Sequence, residues 1–297
     1  MTVATSNFKS WILSTRPKTL TAAVVPVIVG TALVRAHSLP VIWWVSICAA
    51  LSAGFIQIGT NLVNDALDFK KGADTETRTG PQRVTQSGLL TSKQVMAAAG
   101  LCFALATALG VPLVMQGGWP IVAIGLVSLA LAYGYTGGPY PLAYKGLGEL
   151  FVILFFGLVA VMGTFYLHTG FVDRLSVIAG LQVGFLATVL IAINNLRDAP
   201  QDKLVNKRTL AVRFGLTFAR IEICCFVIAP FAMNFFWYNL GLRSAALLPF
   251  VAFIFGRRVV QGVLTNEPGP IFNRFLALAA GLQMVFGLGL AIGLWIK

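Results

Sequence analysis

The stretch PVIWWVSICAALSAGFIQIGTNLVNDALDFKKGAD, residues 40–74, carries no charge from Pro40 to Asn64 and then crowds Asp65, Asp68 and Asp74 together. A membrane-spanning helix needs about 20 apolar residues. Residues 40–63 therefore read as a spanning helix whose far end carries an acidic cluster. The whole chain shares this character. It has 297 residues, 57% of them hydrophobic and only 11% charged, with a mean hydropathy of +0.82. Soluble domains carry roughly 25% charged residues, so a soluble enzyme is excluded. Similar apolar runs lie near 19–35, 95–115, 119–136, 147–168, 174–194, 218–239, 243–264 and 272–296. Together they predict an all-α bundle of nine transmembrane helices, organised as one domain over 1–297. The eighth run is cut short by Arg257 and Arg258. Period-two alternation is absent, which argues against a β-barrel. No small-residue cleavage site follows the first run, so it is expected to stay as a helix and not to be removed as a signal peptide.

The net charge is +12, which raises the question of nucleic acid. The placement of the charge answers it. With nine spans and the N-terminus inside, only Arg35, Arg174, Arg243 and Lys297 of the 22 basic residues fall outside. That is the positive-inside pattern. It predicts that both long polar loops, 64–94 and 195–217, are cytoplasmic, and it needs no nucleic acid partner. Cys48, Cys102, Cys224 and Cys225 lie within apolar runs and read as reduced packing residues.

The two polar loops begin alike. Asn61, Asn64, Asp65 and Asp68 share one face of the second helix, and Asn194, Asn195, Asp198 and Asp202 share one face of the sixth. Like charges at helix spacing destabilise by a few tenths of a kcal/mol per pair, yet the pattern occurs twice on one membrane side. Carboxylate and amide oxygens without histidine or thiolate suit a hard cation, Mg2+ above all. Protein-bound Mg2+ commonly bridges carboxylates to substrate phosphates. Phosphate-binding cations are at hand: Lys70, Lys71, Arg78 and Arg83 after the first cluster, and Arg197, Lys203, Lys207 and Arg208 in or after the second. The chemistry that results is that of a Mg-diphosphate site.

These residues carry a resemblance. NDALDFKKGAD and NNLRDAPQDKLVNKRTLAVRFG, with YGYTGGPYPLAYKGLGEL between them, resemble the paired aspartate-rich motifs of the UbiA-type membrane prenyltransferases. Five residues separate Asp68 from Asp74, a spacing similar to that of the 1,4-dihydroxy-2-naphthoate polyprenyltransferases of menaquinone synthesis. Ala66-Leu67 and Pro200-Gln201 depart from residues common in that group and remove no ligand. The resemblance implies a central cavity opening to lipid under a cytoplasmic cap, in the inner or plasma membrane of a bacterium. It implies Mg-dependent transfer from an isoprenyl diphosphate to 1,4-dihydroxy-2-naphthoate, with loss of CO2 and diphosphate.

On this reading Asn64, Asp68 and Asp74 hold one Mg2+, with Asp65 as an added ligand or supporting acid. Asn194, Asp198 and Asp202 hold the other. Asp65, Asp68, Asp198 and Asp202 form the catalytic set, and Asn64, Arg78, Lys145, Asn195, Lys203 and Arg208 meet the diphosphate. An acceptor base is sought in Asp198 or in Glu149, whose position at a helix start also suits the helix dipole. Tyr133, Tyr135, Tyr140 and Tyr144 fit either an interfacial belt or stabilisation of a carbocation. His37 and His168 read as surface or interfacial groups. Another aromatic acceptor or a phytyl donor is the nearest alternative. A cation transporter, the alternative of a different class, would place its acids near the bilayer midplane, and here they lie at helix ends and in loops.

Overall fold

The computed structural model describes residues 4–72, 79–81 and 83–296, and among them every regular element is helical. Helix α1 (Ala4–Thr15) meets α2 (Thr21–Ala36) through a 3-10 turn at Pro17–Thr19, and the two axes bend by 49°. Arg16 makes the break by adopting a left-handed backbone, φ 51°, ahead of Pro17, which opens the turn with its fixed φ. Asn61 fastens this break, because its Nδ2 donates to Thr15 O at 2.9 Å and Thr19 Oγ1 at 3.0 Å.

Helix α3 spans Trp43–Lys70. A capping box of Thr91 and Gln94 starts α4 (Ser92–Gly117), and α5 covers Trp119–Gly134. After a 3-10 turn at Leu142–Tyr144, α6 (Gly148–Val152) passes through a π-helical stretch, Ile153–Val159, into α7 (Ala160–Thr169). Asp173 caps α8 (Arg174–Leu204). The chain continues as α9 (Leu210–Phe214), α10 (Leu216–Asn239), α11 (Arg243–Leu247), a 3-10 turn at Leu248–Ala252, α12 (Phe253–Thr265) and α13 (Phe272–Ile296).

Each expected apolar run coincides with a helix or an end-to-end helical stretch. Counted as spans among the described residues, seven are long and apolar enough to cross a membrane, and eight if the bent α1–α2 pair is one span. The remaining run is α5, whose sixteen residues reach about 24 Å, short of a hydrocarbon core of about 30 Å. Arg257 and Arg258 do not end the eighth run. They stay within α12 on an exposed face, and the irregularity comes earlier, at the 3-10 turn containing Pro249.

Helix α8 is the central post, with Val183, Leu186, Val189, Ile193 and Leu196 all fully buried. It meets the π stretch through glycine. A Cβ on Gly157 would stand 2.5 Å from Gly180 O and 2.6 Å from Gly184 Cα, so the two backbones touch, as small residues four apart allow in membrane helices. This seam fixes where the ends of α6 and α8 stand relative to each other. At the other end of α8, His37 pairs with Asp173 at 2.9 Å, and His168 accepts from Ile42 N at 3.1 Å and bonds Ser46 Oγ.

Candidate active site

The last turns of α3 and α8 each present a polar face at the same end of the bundle. They meet around Lys207, in the loop after α8. Its Nζ lies 3.2 Å from Asp202 Oδ1 and also feels the charges of Asp68 and Asp198. Burial alone would lower the ammonium pKa, but the three carboxylates outweigh it and raise it above the usual lysine value. Lys207 thus pairs with Asp202 of α8 and also lies 5.9 Å from the ring centre of Tyr144, the residue that donates to Asp68 of α3.

Asp68 accepts from Tyr144 Oη at 3.1 Å and faces Arg83 Nη2 at 3.5 Å. Burial and the Asp68 charge hold the Tyr144 phenol well above its usual range, so it stays a donor. Lys71 sits over the Tyr144 ring, 4.4 Å from its centroid. Its pKa is lowered by burial, with Asp68 opposing. Asn64 Oδ1 accepts from Thr136 Oγ1. On α8, Arg197 grips Asp198 through Nε and Nη2, both at 2.7 Å, and reaches Asn273 Oδ1 at 2.7 Å. Thr79 Oγ1 adds a bond to Asp198 at 3.2 Å. Asn194 is half-buried, and Asn195 donates to Glu149 Oε1 at 2.6 Å.

Asp65 faces elsewhere. It is 2% exposed and accepts from the backbone N–H of Thr85 at 3.1 Å and of Val84 at 3.3 Å. Its carboxylate holds the loop that carries Arg83. Lys145 is exposed, over the Tyr140 ring at 5.0 Å. Lys203 is exposed, and Arg208 is exposed and bonded to Asn206 Oδ1 at 3.1 Å. Asp74 and Arg78 lie outside the described residues. Sequence reasoning counted Lys207 and Arg83 only among the available phosphate-binding cations and gave no part to Arg16, and the fold brings all three to the acids. Arg16 lies within reach of the charges on Asp65 and Asp68, and its buried Nη2 has no hydrogen-bond partner. The signal available for it was its place before Pro17, at a helix break on the same membrane side.

The donor set fits a hard divalent cation. It consists of carboxylate and amide oxygens from Asn64, Asp68, Asn194, Asp198 and Asp202, and Asp202 Oδ2 is buried with no partner. Among the described residues no three acidic, histidine or cysteine side chains yet converge on one point, because Asp68, Asp198 and Asp202 each turn to a cation.

Behind the acids lies a cavity of about 510 Å³, lined by α2 to α7. Its walls are small and apolar, for example Ala49, Ala53, Ala106 and Gly125, and Tyr135, Phe151 and Phe155 stand among them. Thr60 also lines it, one helical turn before Asn64, so the cavity leads up to the acidic faces.

Comparison with known proteins agrees with this architecture. Residues 23–293 match the profile of the UbiA prenyltransferase family. The chain is 37% identical to a 1,4-dihydroxy-2-naphthoate octaprenyltransferase of Mycobacterium leprae over 94% of each chain. It is 32% identical to the Escherichia coli protein of the same name, over 98% of this chain and 97% of the other. A UbiA homolog from Archaeoglobus fulgidus, solved bound to GPP and Mg2+, superposes with a TM-score of 0.62 at 12% identity, covering 95% of this chain and 99% of that one.

Proposed function

The chain belongs to the UbiA prenyltransferase family, and from that premise we propose that it transfers a polyprenyl group from an isoprenyl diphosphate to 1,4-dihydroxy-2-naphthoate. CO2 and diphosphate are lost and a demethylmenaquinol is formed. The observation that carries the reading is the approach of two acid-bearing helix ends, α3 through Asp68 and Tyr144 and α8 through Asp202 and Lys207, beside an apolar cavity. The protein acts as a single integral membrane domain. Its nine helical stretches cross or enter the bilayer with the N-terminus and both polar loops on the cytoplasmic face, as the distribution of Lys and Arg supports.

Asn64, Asp68 and Asp74 would hold one Mg2+, and Asn194, Asp198 and Asp202 the other. Bound there, the metal supplies charge neutralisation for the departing diphosphate. Lys207, half-buried beside Asp202, donates to a bridging or terminal phosphate oxygen. Each such donor is worth about 3 kcal/mol in comparable sites. Lys203, exposed in the last turn of α8, and Arg208, exposed in the loop that follows, close on the diphosphate together with Arg78 and Lys145. Asp65 works through the Arg83 loop that it holds. The prenyl chain occupies the cavity, whose apolar walls keep water from the allylic cation. The faces of Tyr135, Phe151 and Phe155 stabilise positive charge there.

The test is a direct assay. Protein purified into lipid receives Mg2+ and geranylgeranyl diphosphate, with 1,4-dihydroxy-2-naphthoate and 4-hydroxybenzoate offered in parallel, and products are read by mass. Prenylated naphthoquinol without the carboxyl mass is expected. Product from 4-hydroxybenzoate alone would overturn the acceptor assignment.

A further inference from the structure

Glu149 stands outside the metal and diphosphate set, yet it is a carboxylate only 3% exposed in a membrane protein. It opens α6, just after the turn at Leu142–Tyr144. Its Oε1 accepts from Asn195 Nδ2 at 2.6 Å. Its Oε2 is buried with no hydrogen-bond partner. A helix-capping role would aim a side chain at backbone amides, and no side chain caps α6. Among the described residues no Lys, Arg or His forms an ion pair with it. Buried carboxylate oxygens are ordinarily hydrogen-bonded, so this one lacks a donor that something else must bring.

Its surroundings say where that donor enters. Glu149 lies within range of the Tyr135 phenol, and a Cβ on Gly148 would stand 2.9 Å from Tyr135 Oη. Tyr135, Leu142, Phe151 and Val152 all line the cavity. On its other side Glu149 is held by Asn195, one turn before Asp198. Glu149 is thus flanked by the cavity-lining Tyr135, Phe151 and Val152 on one side and by Asn195 of the acid-bearing α8 on the other.

We propose that Glu149 accepts the proton of the acceptor's ring hydroxyl, which makes it a catalytic residue of the prenyl transfer; the proposal rests on the function given above. The ring carbon bearing the carboxylate attacks C1 of the prenyl group, and the allylic C–O bond breaks with its electron pair leaving on diphosphate. The adjacent hydroxyl passes its proton to Glu149 Oε2 as its oxygen becomes a carbonyl. Departure of CO2 returns the C–C bonding pair to the ring, and Glu149 gives the proton back to that oxygen. Glu149 is returned to its starting state, and no oxidant or reductant is consumed.

E149Q tests this with little change of shape, since its amide oxygen still accepts from Asn195 while an NH2 replaces Oε2. General-base groups contribute about 10²- to 10⁴-fold, so kcat/KM for the naphthoate should fall at least about 100-fold. Binding of a geranylgeranyl thiodiphosphate analogue should stay within about twofold. Under anaerobic conditions the E149Q rate should climb toward wild type as the pH approaches the phenolic range, about 10, because the hydroxyl then arrives already ionised. Near-wild-type activity at neutral pH, an absence of recovery at high pH, or a parallel loss of analogue binding would each overturn the proposal. If E149Q does not purify folded, E149D gives the second reading. It should turn over below wild type at neutral pH with normal analogue binding, and an inactive E149D that binds the analogue would overturn the proposal. The wild type is assayed first. If it prenylates only 4-hydroxybenzoate, the naphthoate assignment fails by itself, and the same comparison is made and judged on that phenol.

Discussion

Asp65→Ala separates an acid that holds the protein together from one that holds substrate. Asp65 is 2% exposed and accepts two backbone amides, those of Thr85 at 3.1 Å and Val84 at 3.3 Å. Hydrogen bonds to charged groups contribute about 1.5–3 kcal/mol each, and the longer one belongs at the weak end of that range. Val84 and Thr85 are themselves 1% and 4% exposed, so their amides would be left dry and unpartnered. The loss is about 3–5 kcal/mol, local to the loop that follows Arg83. At 1.36 kcal/mol per power of ten, amide exchange at residues 84 and 85 should quicken by about two to nearly four powers of ten. Hydrogen–deuterium exchange in lipid nanodiscs, read on a peptide covering 83–90, measures this directly. Activity should fall with it, because Arg83 rides on that loop and reaches Asp68. Asp65→Asn keeps one acceptor oxygen and should show about half the effect in free energy. Wild-type protection of these amides in an inactive Asp65→Ala protein would refute the reasoning and return Asp65 to the metal.

Asp68→Ala and Asp198→Ala should each reduce turnover at least about 100-fold while the protein still inserts and folds; substantial activity in either removes that residue from the metal set. Lys207→Met should weaken binding of the prenyl diphosphate, seen in a binding isotherm, and should also lower the melting temperature because Asp202 loses its partner; unchanged donor affinity would show that the lysine serves stability alone. Gly157→Val drives side-chain carbon into the Gly180 and Gly184 backbone, and overpacking of this kind costs about 1–3 kcal/mol or more; a wild-type melting curve would contradict the seam. Chelation should abolish product formation and added Mg2+ should restore it, whereas activity that survives full chelation would contradict the metal assignment.

Most of the fold was legible because hydrocarbon imposes one rule, a long apolar run closed into a helix, on every segment. What escaped is instructive. The 3-10 turn at Leu248–Ala252 and the π stretch at Ile153–Val159 leave hydropathy unchanged, so no window average detects them. The acids on α3 and α8 were readable from spacing, but spacing gave Asp65 and Asp68 the same face. Only the returning loop, with its amides at Val84 and Thr85, separates their work. Lys207 looked like one loop cation among several, and only the way the chain folds back after α8 distinguishes it from exposed Lys203 and Arg208. Glu149 carried a structural reading at a helix start until the contact with Asn195 and the empty side of Oε2 came into view.

The π stretch between α6 and α7 has an evolutionary consequence. A π segment holds more residues per turn than the α-helix around it, so the residues before and after it are out of rotational phase. Here the phase difference lets α6 offer Glu149 to Asn195 of α8 while α7 offers Gly163, Thr164 and Leu167 to the cavity. Deleting one residue from 153–159 would allow a regular helix, but everything on one side would turn by about 100°. Apart from Gly157, held by the α8 backbone, the segment is therefore tolerant of exchanges of one apolar residue for another and intolerant of changes in length. Lineages carrying this arrangement are free to vary its other letters and are held to its count.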